Sequence, residues 1–333
     1  MRVLVTGGAG FIGCNFVRLL LREYENLQLN ILDKLTYAGN LANLDDVLDD
    51  NRVCFIEGDV CDEQTVAEAM AEAEIVVHLA AETHVDRSIM GGEAAARTNF
   101  LGTQVMLENA RQVQPRVFLH VSTDEVYGDC PEGAFGEDQP LRPRNPYSAS
   151  KAGADHLAYA YWVTYGVPVI ISRPANNYGP YQYPEKLVPF FVYRALRGEM
   201  LPLYGDGMQV RDWLHVEDHG RAMLALIEHG ELGEAYNLPA GNERTNLTTA
   251  RLVLDELGKP EELIGFVADR PGHDVRYAMT GARIADLGWR PEIPWEEGLR
   301  ATVRWFAEHP AWLEQSAARS KEYFDKWYAA HGG

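Results

Sequence analysis

The chain has 333 residues, 46% hydrophobic and 24% charged, with a formal net charge of -19. That is the make-up of a globular protein of about two domains, at roughly 100–200 residues each. The acidic excess argues against nucleic acid or an anionic membrane as the main partner, and leaves room for an anionic nucleotide held by a few local donors.

The N-terminus, Met1-Arg2-Val3-Leu4-Val5, runs straight into glycines, which reads as a strand and not as a signal peptide. Residues 2–6 are the first expected strand and 11–23 the first helix. Further short apolar strands are expected at 29–33, 53–57, 74–79, 116–121 and 167–172, with helices near 62–72, 93–113 and 147–165. Short strands alternating with helices imply βαβ units and a parallel sheet covered on both faces. Right-handed crossovers then give an α/β fold with a doubly wound Rossmann sheet. From about residue 174 prolines and glycines become frequent and the rhythm weakens. The expected division is a dinucleotide-binding domain over 1–173 and a smaller mixed α/β C-terminal substrate domain over 174–333, with an approximate boundary and interleaving segments allowed. The stretch 296–328 reads as helical and aromatic (Trp305, Trp312, Tyr323, Phe324, Trp327, Tyr328), suited to packing against the body or a partner and not to a ligand site. Cys14, Cys54, Cys61 and Cys130 form no CxxC pair, so no metal is expected. They read as free thiols of a reducing cytoplasm. No apolar run is long enough to suggest a membrane span.

Gly7, Gly10 and Gly13 give G-x-x-G-x-x-G between the first strand and the first helix. Gly7 permits a tight turn, Gly10 lets backbone N–H groups approach a pyrophosphate, and Gly13 lets the helix pack closely on the sheet. The helix N-terminus adds donors and partial positive charge. Asp33, at the end of the second strand, can accept from the ribose hydroxyls and repel a 2′-phosphate, favouring NAD over NADP. Its neighbour Lys34 would blunt that repulsion. Asp59 suits either the adenine edge or a helix cap.

Tyr147 and Lys151 are one helical turn apart and share a face. An ammonium there is expected to favour phenolate and lower the tyrosine pKa, so that the tyrosine can take a proton from an alcohol. Thr123, Asp124 and Glu125 follow the fifth strand, at the sheet edge where ligands of such folds bind. Two adjacent carboxyls push their pKa values apart, leaving one as acid and one as base.

The runs Ser122-Thr123-Asp124-Glu125-Val126-Tyr127-Gly128 and Tyr147-Ser148-Ala149-Ser150-Lys151 resemble the dTDP-glucose 4,6-dehydratase family of extended short-chain dehydrogenases/reductases. So do the segments 33–40, 80–88, 176–180, 184–187 and 269–274. The resemblance implies an NAD-dependent hydro-lyase acting on a nucleotide hexose. It makes Tyr147 the base at the sugar O4, supported by Lys151 and Thr123. Asp124 is then the acid at the C6 hydroxyl and Glu125 the base at C5. Phe11, Ile12, Leu35, Thr36, Val60, Leu79, Ala80, Ala81, Thr98 and Asn177 would complete the NAD site. Thr83, Asn176, Lys186, Leu187, Pro202, Tyr204, Arg211, Asn246, Arg270 and His273 would hold the nucleotide sugar. Two positions depart from the family pattern, Thr83 where serine is common and Ala175 before the Asn-Asn pair. The resemblance also implies a homodimer through four-helix packing, for which Tyr147, Ala152, Leu157 and Tyr161 on one helix and the helix over 93–113 offer apolar strips. Three alternatives stay open: a UDP-glucose 4,6-dehydratase; a nucleotide-sugar 4-epimerase, which needs no acid-base pair at 124 and 125; and a non-catalytic NAD(H)-binding redox sensor, against which Tyr147 and Lys151 count.

Overall fold

A computed structural model describes residues 1–269 and 274–319. The strands are β1 (Arg2–Thr6), β2 (Gln28–Asp33), β3 (Val53–Glu57), β4 (Ile75–His78), β5 (Val117–Val121), β6 (Val169–Pro174), β7 (Asn176–Tyr178), β8 (Leu201–Tyr204), β9 (Val210–His215), β10 (Ala235–Leu238), β11 (Glu243–Thr245) and β12 (Ile264–Val267). The helices are α1 (Phe11–Glu23), α2 (Glu63–Met70), α3 (Val85–Met90), α4 (Glu93–Ala95), α5 (Thr103–Val113), α6 (Pro146–Tyr165), α7 (Leu187–Leu196), α8 (Val216–His229), α9 (Asn246–Glu256), α10 (Ala282–Asp286) and α11 (Trp295–Glu308). A π-helical stretch, Ala96–Gly102, joins α4 to α5.

Seven strands form one parallel sheet in the order β10-β6-β5-β4-β1-β2-β3. Side chains alternate across it, so Val3 and Val5 enter one core with Phe16, Leu20, Met223 and Leu226 of α1 and α8. Leu4 enters the other, with Val66, Met106, Leu107 and Ala158 of α2, α5 and α6. Helices therefore cover both faces, as the strand-helix alternation predicts. The strand order reverses between β1 and β4, which opens a crevice at their carboxyl ends.

The smaller lobe holds a mixed sheet, β11-β9-β7, and the parallel pair β12-β8. Its core gathers Tyr178, Phe190, Phe191, Trp213, Trp295, Leu299 and Phe306. The chain then crosses back: β10 pairs with β6 at the edge of the large sheet, and α10 packs on β10. The long C-terminal helix expected from 296 is broken at His309 and resumes over 310–319. Pro310, lacking an N–H, accounts for the break. Tyr323, Phe324, Trp327 and Tyr328 lie outside the described residues. Among the described residues no helix is long and apolar enough to cross a membrane.

Candidate active site

One cavity of about 440 Å³ runs along the crevice and between the lobes. At its sheet end Gly7 has φ +71°, and a Cβ there would lie 2.8 Å from the Ala80 nitrogen. A Cβ on Gly13 would lie 2.2 Å from the Gly7 oxygen, so only glycine lets α1 start this close to the sheet. Gly10 caps α1 without a side-chain bond, and Gly10, Phe11, Ile12 and Gly13 line the cavity, their first-turn N–H groups suited to a pyrophosphate. Asp33 braces this loop: Oδ2 accepts from Ala9 N (2.9 Å) and Oδ1 from Leu35 N (2.8 Å). Burial pushes its carboxyl above the usual range. The Lys34 ammonium donates to Asp59 Oδ2 at 2.6 Å, so its charge is already paired. Asp59 is not the cap of α2; Asp62 is, accepting from Thr65 N at 2.7 Å. Thr36, Val60, Leu79, Ala80, Ala81, Thr98 and Asn177 also face the cavity. Leu35 does not line it: its backbone turns with φ +52° and its side chain packs on the sheet core. The cradle and the acid at the end of β2 fit a dinucleotide.

At the middle of the cavity β5 delivers Thr123, which caps a short turn over Asp124–Tyr127 by accepting from Glu125 N at 3.3 Å. The Thr123 hydroxyl donates to Asp124 Oδ1 at 3.2 Å. Opposite, α6 begins at Pro146 behind an Asn145–Ser148 capping box, which fixes the first turn and with it Tyr147. One turn on, Lys151 is buried and donates to the Val121 carbonyl at 2.7 Å. Thr123, Asp124, Glu125, Tyr147 and Lys151 all line the cavity.

The electrostatics separate these groups. Burial, then the neighbouring Glu125 charge, pushes Asp124 up to about 8, so it is a neutral acid at pH 7. Burial lowers Lys151 to about 8, opposed by Asp155 one turn further along α6. Asp155, although burial opposes it, is held down at about 2 by His120 and Arg173; their contacts with it are 3.3 and 2.9 Å. The expected lowering of Tyr147 is not found in the protein alone. Burial and the charge of Glu125 raise the phenol, outweighing a hydrogen bond to Thr123. The reason is that a phenolate here would share a desolvated pocket with two carboxyl groups.

The far end is built by the smaller lobe. Arg211 lies over the Tyr277 ring at 4.3 Å and donates to the Asp274 carbonyl at 3.0 Å, which fixes its fork of donors. Lys186 donates to the Thr83 carbonyl at 2.8 Å. Asn176, Leu187, Pro202, Tyr204 and Asn246 line the same region. Arg270 and His273 lie outside the described residues. Glu185, His84, Trp213 and Tyr277 also line the cavity, and sequence reasoning did not single them out. Glu185 is buried beside Arg87 (3.2 Å), and burial raises it to about 7. An acid inside the apolar run from Tyr183 to Phe191 was its available signal.

A family model described as GDP-mannose 4,6 dehydratase matches residues 4–302. A dTDP-glucose 4,6-dehydratase of Streptomyces niveus is 46% identical over 319 residues, covering 94% of this chain and 95% of that one. The chain belongs to the dTDP-glucose 4,6-dehydratase family. The low-salt glycan biosynthesis protein Agl12 of Haloferax volcanii is 49% identical over 306 residues, covering 92% of this chain and 98% of its own. Among solved structures, the dTDP-glucose 4,6-dehydratase DesIV of Streptomyces venezuelae, crystallised with NAD bound, superposes with a TM-score of 0.93 at 47% identity. That match covers 95% of this chain and 100% of DesIV.

Proposed function

We propose that this dehydratase-family chain converts dTDP-glucose to dTDP-4-keto-6-deoxyglucose with a retained NAD. The observation that carries the reading is the buried Asp124 beside Glu125, in one cavity with Tyr147 and Lys151, where burial raises the Asp124 carboxyl. Bound NAD supplies the chemistry of accepting a hydride from C4 and returning it to C6. Tyr147, as the phenolate that the Lys151 ammonium stabilises, takes the O4 proton and becomes the phenol; before the next turnover the phenol gives that proton up and Asp124 regains one, so the protons balance. Thr123 keeps the phenol and O4 in register. Once C4 is a ketone the C5 hydrogen is acidic, and Glu125 removes it. Asp124 gives its proton to the C6 oxygen, water leaves, and the proton held by Glu125 returns to C5. Oxidation at C4 and reduction at C6 balance, so no external oxidant is consumed. On this reading the sheet lobe, 1–173, holds the dinucleotide, and the lobe built after 174 holds the substrate nucleotide through Arg211, Asn246 and Lys186.

The same reading carries an assembly and a compartment. Phe100, Leu101, Tyr159 and Val163 are exposed on the π stretch and α6, beside Ile89 and Met90 of α3. An apolar face of this kind suits a homodimer. Ala152 and Tyr161, named from sequence for that face, are buried inside the subunit instead, because α6 turns them toward its own core. Four free thiols suit a reducing cytoplasm.

The test is incubation with dTDP-glucose and, separately, UDP-glucose, followed by mass spectrometry. Loss of one water from dTDP-glucose, with little from UDP-glucose, is expected. A change of configuration without loss of mass would make the protein an epimerase, and faster turnover of UDP-glucose would reassign the base.

A further inference from the structure

The aromatic C-terminal segment is tied to the dinucleotide cradle by a short series of side-chain contacts. Trp305 of α11 and Trp312 of the 310–319 helix both meet the ring of Tyr181, with centroids 4.6 and 5.9 Å away. Tyr181 belongs to the loop between Asn177 of β7 and Lys186 at the start of α7, and it holds φ +67°, a conformation costly for a non-glycine residue. Arg18 of α1 lies over the same ring at 4.4 Å and donates to the Asn43 carbonyl at 2.7 Å. The Trp312 indole N–H donates to Asn43 Oδ1 at 2.8 Å. Asn43 is 1% exposed, and its amide N–H donates in turn to the Ala9 carbonyl at 2.9 Å. Ala9 is the residue between Gly8 and Gly10, and its own N–H is held by Asp33. Further along the same helix Arg319 donates to the Thr36 carbonyl at 2.8 Å, on the other loop of the cradle.

We propose that Trp312 is a positioning residue which, through Asn43, holds the glycine-rich loop closed on the dinucleotide and so sets how long the cofactor stays bound. Asn43 is buried, so loss of the indole donor leaves its Oδ1 without a partner. Turning the amide to find water gives up the bond to Ala9, and the loop that covers the pyrophosphate loses a support. Retention matters to the chemistry proposed above, on which this inference rests for its purpose. Between oxidation at C4 and reduction at C6 the hydride resides only on the cofactor. Release of reduced cofactor at that stage leaves a sugar oxidised at C4 and never reduced at C6.

The test measures release directly, without sugar. Wild type and Trp312→Phe are loaded with NADH and chased with excess NAD, and the fall in NADH fluorescence is followed. Phenylalanine keeps an aromatic ring against Tyr181 and removes the N–H along with the rest of the bicycle. Release about tenfold faster is expected, with affinity for dTDP unchanged. Arg319→Ala, an exposed change on which the fold does not depend, is expected to quicken release about threefold. Trp312→Phe combined with Asn43→Ala is expected to release no faster than Asn43→Ala alone, since both act on one path. A wild-type release rate in Trp312→Phe would overturn the proposal, whatever Arg319→Ala does. So would additive effects of Trp312→Phe and Asn43→Ala, or an equal loss of dTDP affinity, which would mark general loosening. A wild-type protein that binds NADH but leaves dTDP-glucose unchanged would sink the functional reading alone.

Discussion

Asp124→Asn should make the protein more stable while removing its acid. In the unfolded chain this carboxyl titrates near 3.8, and in the fold burial and Glu125 raise it to about 8. At pH 7 the unfolded state is ionised and the folded state holds a proton, so the folded state binds more protons and stability falls as pH rises. The contribution is complete below pH 3.8 and is lost progressively until pH passes about 8. At about 1.36 kcal/mol per pKa unit, the buried acid costs about 3 kcal/mol at pH 6, about 4 at pH 7 and about 5 at pH 8. Asparagine has nearly the same shape, keeps an oxygen for the Thr123 hydroxyl, and does not titrate. At about 2 °C per kcal/mol for a chain of this size, the melting-temperature advantage should grow from about 6 °C at pH 6 to about 10 °C at pH 8. Thermal melts of both proteins at three pH values, with matched cofactor content, read this out. The turnover of Asp124→Asn should fall by about two to four orders of magnitude. A stability gap that does not widen with pH, or a less stable variant, would mean that Asp124 is already ionised in the fold, and the acid role would fall with it.

Glu125→Gln should still oxidise C4 but stall before elimination, so that the absorbance of reduced cofactor rises while product formation drops about a hundredfold or more; normal product formation would show that another group removes the C5 proton. Asp155→Asn removes the charge that opposes the lowering of Lys151, so the alkaline limb of the rate profile, expected near pH 8, should move to lower pH; a lower rate with an unmoved limb would leave Asp155 a packing role only. Leu101→Glu with Val163→Glu should give a monomer by analytical ultracentrifugation, because both side chains are more than half or about half exposed on the apolar face; an unchanged sedimentation coefficient would place the interface elsewhere.

Local rules made the sheet lobe legible. Gly7 and Gly13 stand where a Cβ would strike backbone, and period and spacing alone locate them. Tyr147 and Lys151 share a face because four residues make a turn. The ionisation of Tyr147 was not legible, since it sums burial with carboxyl groups that arrive from another strand. Glu185 and Tyr277 enter the cavity from loops and Trp213 from β9 of the smaller lobe, all distant in sequence from the sheet-edge motifs. The return of β10 to the large sheet was hidden for a similar reason: four residues of edge strand, Ala235–Leu238, look like many short apolar runs. Leu35 was placed at the ligand because its neighbours belong there, but a left-handed turn sends its side chain into the core.

That return of β10 bears on any attempt to exchange specificity with a relative. A graft joined once, at the end of β6, would import a foreign edge strand with the new lobe and leave β6 facing a partner it did not evolve with. An ill-matched edge offers open backbone donors and acceptors to other molecules, and aggregation follows. A workable chimera keeps α8, β10 and α10 native and replaces only the stretches between them, so it needs several seams instead of one.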